Sequence, residues 1–426
     1  MSEIQTYDVV VIGGGPAGAT AATDLARRGR SVLLLDRPGR IKPCGGAIPP
    51  IAITEFEIPE EQLCAKIHSA RMVAPSERHV DMPINGGYVG MVDRGPFDEW
   101  LRERAAAAGA TRRDGSYKHI SQDSDGTSIV HFQPEPERKP ADAQSGAKTD
   151  TKPALEQVRA RAIIGADGAM SKVAKDCVPG AKELPHVAAY HEIIRSPSSS
   201  QTAGQTAGQS STDHADFDPT RCDVYYQGKI SPDFYGWIFP HGETTSVGVG
   251  TEQKGFSLKQ ATADLRKAAG LADCETLRCE GAPIPLHPLK KWDNDRDLVL
   301  AGDAAGVVAP ASGEGIYYAL TGGRLAADAV EQFLITGDAK ALASARKRFM
   351  KAHGRVFWIL GIMQRFWYKT DKRRERFVSL CDDPDIQHLT WEAYMHKRLV
   401  RAKPAAHLRI FLKDTAHLLG MTKPWK

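Results

Sequence analysis

Apolar residues gather in short continuous runs at the start of the chain. Tyr7–Ile12 and Ser31–Leu35 read as buried strands and Pro16–Arg28 between them as a helix, so the sequence opens on one βαβ unit. Arg159–Ala166 and Asp297–Ala301 predict two more buried strands. Segments at Val224–Tyr226, Trp237–Phe239 and Thr245–Val249, separated by Pro and Gly, predict an antiparallel sheet. From Gly315 onward the pattern is mostly helical. Two stretches break the pattern. Residues 133–157 have four prolines and no aromatic residue, and 196–216 is Ser/Thr/Gln/Gly/Ala-rich with TAGQ twice in tandem. Neither buries enough apolar surface to offset its ordering entropy, so both are expected as loop excursions without assigned function.

Length then divides the chain. At roughly 100–200 residues per domain, 426 residues predict two or three domains, and 42% hydrophobic with 25% charged residues are globular values. The apolar runs fall well short of the roughly 20 residues of a spanning helix. Met1–Tyr7 is polar and carries Glu3, unlike a signal or transit peptide. Seven scattered cysteines without a CxxC predict a reduced, cytosolic chain with no structural metal. The net charge of +4 hides an asymmetry: residues 340–426 carry 20 Lys/Arg against 7 Asp/Glu, a balance of +13 that leaves −9 elsewhere. A basic end on an acidic body points to an anionic surface as its partner, and none of the motifs points to nucleic acid.

The sharpest chemical signal is Gly13-x-Gly15-x-x-Gly18 between the first strand and the first helix. Gly13 permits the tight turn, Gly15 lets backbone approach a pyrophosphate, and Gly18 lets the helix pack close to the strand. Asp36 ends the second strand where an acid takes ribose hydroxyls, with Arg37 beside it and Ala17 inside the fingerprint as further cofactor-binding candidates. One such fingerprint serves NAD or FAD, so the later glycine clusters decide. Arg94-x-x-Phe97-Asp98-x-x-Leu101, Gly165-Ala166-Asp167-Gly168 with Ser171, and Leu300–Ala305 followed by Pro310 and Gly313-Glu314-Gly315-Ile316 occur in that order. The series resembles flavoproteins of the p-hydroxybenzoate hydroxylase type. That resemblance implies bound FAD, with Arg94 near the flavin, Asp303 at the ribityl chain and the helix after Gly315 near the pyrimidine end. It adds Asp167, Gly302, Pro310, Gly313, Gly315 and Ile316 to the cofactor candidates.

Two further segments narrow the family. Lys42-Pro43-Cys44-Gly45-Gly46-Ala47 and Pro232-x-x-Tyr235-x-Trp237-x-Phe239-Pro240 are similar to the hallmarks of geranylgeranyl reductases. Residues 85–94 and the stretch from Tyr394-Met395-x-Lys397 through Gly420 resemble the photosynthetic branch, which builds the phytyl tail of (bacterio)chlorophyll. The expected fold is α/β, a Rossmann-type FAD domain (1–75, 91–180 and 290–339) with an antiparallel-sheet substrate domain (76–90 and 181–289). A basic helical region at 340–426 follows. The resemblance implies geranylgeranyl diphosphate or a geranylgeranylated pigment as substrate, and NADPH as a transient donor, with a ferredoxin-type donor as the alternative.

In an extended strand Tyr235, Trp237 and Phe239 share one face, where three aromatics, with Pro240 after them, can wall an apolar slot; the plainer reading is packing between sheet and helices. The Cys44 turn, Gly45 and Gly46 with Ala47, is placed at the isoalloxazine ring, although a small inert buried cysteine is a common structural element. Isolated double bonds accept hydride only if a proton reaches the other carbon, so Cys44, Gly45, Gly46 and Tyr235 are the catalytic candidates. Cys44, Tyr235 and a bound water stay open as proton donors. Val356–Tyr368, apolar and flanked by Arg346–Arg348 and Lys372–Arg374, reads as an interfacial membrane helix on a cytoplasmic, peripherally bound protein, as a helix closing the cavity, or as both. Rival functions are a flavin monooxygenase or halogenase, an archaeal-type lipid reductase, and a non-catalytic isoprenoid or pigment carrier.

Overall fold

The computed structural model describes residues 4–39, 41–135, 154–197, 216–397 and 424–425. Most of both patternless stretches, and the resemblance from 398 to Gly420, lie outside these residues. The first sheet is built on parallel strands in the order Thr111–Gln122, Val32–Asp36, Thr6–Ile12, Glu156–Gly165 and Leu298–Leu300. Val9–Val11 and Leu33–Leu35 are almost fully buried. Both sheet faces are covered, so these strands read as unbroken apolar runs. The strand Thr111–Gln122 does double duty. Its first residues pair in parallel with Val32–Asp36, and its remainder turns back against Ser128–Pro134, which pairs in turn with the start of Glu156–Gly165. This meander explains why that last strand begins three residues before the expected Arg159.

The second sheet has seven strands in the order Thr276–Pro285, His186–Arg195, Thr244–Thr251, Gly236–His241, Arg221–Tyr225, Ser69–Val73 and His79–Pro83. Only Arg221–Tyr225 and Ser69–Val73 run parallel. Ser69–Val73, expected in the first domain with its break at 75, belongs here instead. It forms a hairpin with His79–Pro83, and Arg71 clamps it to Asp81 and Asp216 at 2.6 Å each. A small sheet of Ala47–Ile48, Val89–Met91 and Ala65–Ile67 bridges the two halves.

Helices seal the junction. Pro16–Arg27 and Ile316–Thr336 cross where Gly323 has no room for a side chain: a Cβ there would sit 2.1 Å from the Ala17 carbonyl oxygen. Ser344–Trp367, Asp371–Leu380 and Pro384–His396 make the C-terminal region. Trp367, Tyr368 and Val378 from it join Tyr226, Tyr235 and Trp237 in one buried cluster. Arg374, 2% exposed, fastens this roof by donating to the Tyr368 and Pro232 carbonyls and pairing with Asp371 at 2.7 Å. Among the described residues, no helix is long and apolar enough to cross a membrane.

Candidate active site

The fingerprint turn is shaped by backbone meeting backbone. Gly13 has φ +107°, and a Cβ there would lie 2.3 Å from the Ala166 carbonyl oxygen. At Gly18 a Cβ would lie 1.8 Å from the Gly13 carbonyl oxygen, so helix and strand touch only because no side chain intervenes. Gly15 is the reverse case. Nothing lies within 4 Å of its missing Cβ, and it caps Pro16–Arg27 without a side-chain hydrogen bond. That leaves an open cradle lined by the first-turn N–H groups, the shape and polarity a pyrophosphate fills. The FAD expected here fits the residues present. The Ala17 side chain is buried in the helix crossing, and its N–H is one of the first-turn groups.

Asp36 ends its strand within 3.1 Å of Arg102 Nη1, a residue the sequence reading passed over. Arg102 also reaches the Gly14 carbonyl at 3.3 Å and Glu99 at 2.9 Å. The signal was available: Arg94, Asp98 and Arg102 fall at i, i+4 and i+8 on one helix face. Burial raises the Asp36 carboxyl above its usual range, against the Gly14 N–H and the Arg102 charge. Arg37 is exposed beside it.

Arg94 starts the helix Arg94–Ala107 behind Asp93, whose carboxylate accepts from Gly95 N at 3.1 Å. Its guanidinium grips Asp98 through two bonds of 2.7 and 2.8 Å, both side chains buried. Burial opposes that cation, yet Asp98 and Cys44 together hold it charged, above the usual arginine range. Arg94 therefore meets the Cys44 turn. The turn itself is wedged: a Cβ on Gly45 would lie 3.0 Å from the Phe239 ring, and one on Gly46 (φ +72°) 2.5 Å from His241 Nε2. Cys44 Sγ accepts from Gly46 N at 3.4 Å, and Ala47 pairs with Met91 in the bridging sheet.

Asp303 lies in the short helical turn after Leu298–Leu300 and pairs with Lys42 of the same Cys44 loop. Lys42 is a second residue passed over, since nothing local ties it to a carboxylate 261 positions away. Gly302 has φ +64°, and a Cβ there would press on Ala17 at 2.7 Å. Asp167, placed beside Gly13, accepts from Ser171 Oγ and from the N–H groups of Lys172 and Val173 at 2.7 and 3.1 Å. Its carboxylate thus caps the helix Lys172–Cys177.

The turn from Pro310 to Gly315 is held by two phenols. Tyr235 Oη donates to the Ser312 carbonyl at 2.6 Å and Tyr368 Oη to the Ala311 carbonyl at 3.2 Å. Gly313 has φ +65°, and a Cβ there would lie 3.1 Å from Tyr235 Oη. Gly315 then caps the 21-residue helix Ile316–Thr336 with no side-chain bond, so its N–H groups face this turn; Ile316 behind them is buried. Tyr235, Trp237 and Phe239 do share one strand face, with ring centroids 6.1 and 6.3 Å apart, while Ile238 packs on the opposite side. Trp237 donates to Ser246 Oγ at 3.1 Å, and Gly248 makes room for its indole. Pro240 is buried at the strand end. The Cys44 turn, the aromatic face and the Gly313 turn thus converge; the Gly13–Gly18 cradle and Asp36 lie at the other end of the expected cofactor path.

Fold and cradle together define a flavin-dependent oxidoreductase. Residues 7–196 match the pyridine nucleotide-disulphide oxidoreductase family. The chain is 53% identical to a geranylgeranyl diphosphate reductase of Rhodobacter capsulatus, over 98% of this chain and 99% of that one. It is 33% identical to the geranylgeranyl diphosphate reductase of Synechocystis over 96% of this chain and 97% of that one. A geranylgeranyl bacteriochlorophyll reductase-like structure from Thermoplasma acidophilum superposes with a TM-score of 0.76 at 21% identity, covering 95% of this chain and 100% of that one. A flavin-dependent brominase gives 0.67 at 16%, covering 96% and 100%, so that fold is shared with halogenases. The chain belongs to the geranylgeranyl diphosphate reductase family.

Two outcomes follow from the cradle. Gly15→Val fills the open space and is expected to yield a folded, colourless protein, where the wild type carries one FAD per chain by absorbance. Asp36 binds its proton more tightly folded than unfolded, so its stabilising contribution is full below the ordinary carboxylate range and is lost as pH rises through the raised value. Asp36→Asn is therefore expected to raise the melting temperature of the flavin-free chain at pH 7. The same change should weaken FAD by about 10- to 100-fold, the equivalent of one charged hydrogen bond of about 1.5–3 kcal/mol. Calorimetry and a flavin titration read the two effects separately.

Proposed function

We propose that this chain saturates isolated double bonds of a geranylgeranyl chain to give the phytyl tail of (bacterio)chlorophyll, with electrons from NADPH. The observation that carries the reading is the aromatic face of Gly236–His241 pressed against the Cys44 turn and the Gly313 turn at once. FAD, when bound, supplies the hydride. The chain's own residues do the rest. Tyr235, Trp237 and Phe239 offer an extended apolar wall for an isoprenoid, and the roof of Trp367 and Tyr368 excludes water from it. Arg94 keeps a buried positive charge beside Cys44, a favourable setting for negative charge on a neighbouring group. The names of the relatives support an isoprenoid substrate. Free diphosphate and pigment ester both fit an apolar slot, because the tail is common to them.

The C-terminal region supports peripheral attachment to an anionic membrane. On Ser344–Trp367, Lys351, Arg355, Trp358, Ile362 and Arg365 form one exposed stripe at helical spacing, with Trp358 68% and Ile362 48% exposed. Past the helix end, Lys369, Lys372, Arg373 and Arg376 line a pocket of about 380 Å³ with Phe366 and Trp367. Apolar side chains bracketed by cations suit an interface plane, where each basic residue contributes about 1 kcal/mol near anionic lipid.

The test of function is anaerobic incubation of the purified protein with NADPH and either substrate, reading product mass in steps of two hydrogens; unchanged substrate beside reduced flavin overturns the proposal. Trp237→Ala is expected to slow reoxidation of the reduced flavin by substrate at least tenfold, the rate equivalent of roughly 1.5 kcal/mol of lost burial, while NADPH-dependent flavin reduction is nearly unchanged. Equal losses in both half-reactions would make the aromatics purely structural. Attachment is expected as sedimentation with anionic vesicles that falls with salt, since screening acts within about 8 Å, and that weakens in Trp358→Ala. Binding indifferent to salt and lipid charge would assign the basic face elsewhere.

A further inference from the structure

Glu314 stands in the turn between Gly313 and Gly315, and Lys397 ends the helix Pro384–His396. Their side chains form an ion pair although only 5% and 4% of each is exposed. The second carboxylate oxygen of Glu314, Oε1, is buried and has no hydrogen-bond partner. Lys397 reaches the pair from a left-handed backbone, φ +52°, at the C-terminal cap of its helix, where that conformation commonly ends a helix. Its ammonium is enclosed by the rings of Tyr394 at 4.0 Å and of Tyr317 and Tyr318 at 5.7 Å. A buried pair of this kind holds a helix no better than two apolar side chains of the same volume, so stability alone does not account for it.

We propose that Glu314 and Lys397 supply the proton that completes alkene reduction, an inference that rests on the reductase reading. Glu314 adjoins Gly313, which packs against Tyr235 Oη, and its charge acts on the Tyr235 phenol, so the pair neighbours the Tyr235 end of the aromatic face. Tyr235 is the poorer donor: its hydroxyl is bonded to the Ser312 carbonyl, and burial, then Tyr368, Cys44, Cys222 and Glu314, hold its proton on. Burial raises the Glu314 carboxyl and lowers the Lys397 ammonium, each opposed by its partner, so the two acidities move toward one another. The groups facing the pair stay neutral. His353 is pushed down to about 4 by burial and then by the Lys397 charge, and burial raises the phenols of Tyr317, Tyr318 and Tyr394.

In the step, the alkene π bond breaks and two C–H bonds form. Reduced FAD, when bound, would supply the hydride to one carbon and be oxidised in doing so. The other takes the proton of the pair, leaving a carboxylate and a neutral amine that solvent reprotonates after product leaves.

Glu314→Gln and Lys397→Met are measured as full-length, flavin-loaded protein. Both are expected to retain FAD and to be reduced by dithionite at the wild-type rate. Reoxidation by geranylgeranyl diphosphate should fall by about 10²–10⁴-fold, the usual contribution of a positioned acid. The wild type should show a solvent deuterium isotope effect on that step. A second readout needs no turnover: pH-difference infrared spectra of the wild type should show a carboxylic-acid C=O band titrating above the ordinary glutamate range, absent in Glu314→Gln. If the single variants fail to fold, Glu314→Leu/Lys397→Met restores an apolar pair and should bind FAD without recovering reoxidation. Variants that reoxidise at the wild-type rate, or a wild-type carboxyl titrating in the ordinary range, overturn the proposal. A wild-type flavin that geranylgeranyl diphosphate never reoxidises overturns the reductase reading instead.

Discussion

The flavin-binding half rests on the contact between the Gly13 carbonyl and the first turn of the helix Pro16–Arg27. With 1.8 Å between that oxygen and the place where Gly18 would carry a Cβ, strand, turn and helix can assemble only at this sequence. The Ala166 carbonyl presses on the other side of Gly13, and Gly302 and Gly323 repeat the device around Ala17. Four chain segments far apart in sequence thereby meet without side chains between them. Where backbones are so close, Gly15, with nothing within 4 Å of its missing Cβ, becomes a cavity by contrast. Binding space here is what close packing leaves out.

A second constraint is the number of charges taken out of water around the expected ring. Arg94 and Asp98, and Glu314 and Lys397, are buried pairs, and Asp303 is a buried carboxylate whose partner Lys42 is partly exposed; a reaction on an unactivated alkene, as proposed, requires such dryness. Desolvated ion pairs add little to stability. They fix the electrostatics of a site in advance, so that little reorganisation is needed when charge develops. Away from the site, the buried Arg266–Glu192 pair at 2.6 Å ties a helix to the second sheet through further carbonyl contacts, a structural use of the same chemistry.

What could be read from the sequence follows from range. Period-two alternation put Tyr235, Trp237 and Phe239 on one face, and fingerprint spacing located Gly13, Gly15 and Gly18, because both patterns are set by local backbone geometry. The domain break expected at 75 left Ser69–Val73 in the first domain, because its partner Arg221–Tyr225 lies about 150 positions on and no local pattern announces a parallel pairing. Arg102 beside Asp36 and Lys42 beside Asp303 were hidden for the same reason, although Arg102 shares a helix face with Arg94. Asp167, read as a flavin contact, turns its oxygens to the N–H groups of the following helix. A residue in such a motif can shape the turn as well as face a ligand.

The C-terminal helices link surface and interior. The strand face that holds Tyr235 and Trp237 is roofed by Trp367 and Tyr368, at the end of the same helix that exposes Trp358 and Ile362 ten residues or fewer away. The short helix Asp371–Leu380 is latched by Arg374 to the Pro232 carbonyl, at the start of the aromatic strand. Any force on the exposed stripe is therefore transmitted to the roof through one continuous helix, whose backbone bonds resist bending over so few turns. On the proposed reading, an isoprenoid tail longer than the buried face passes this roof on its way to the Cys44 turn. The roof and the stripe lie on one element, so on the proposed reading a surface that seats the helix also sets where an isoprenoid enters.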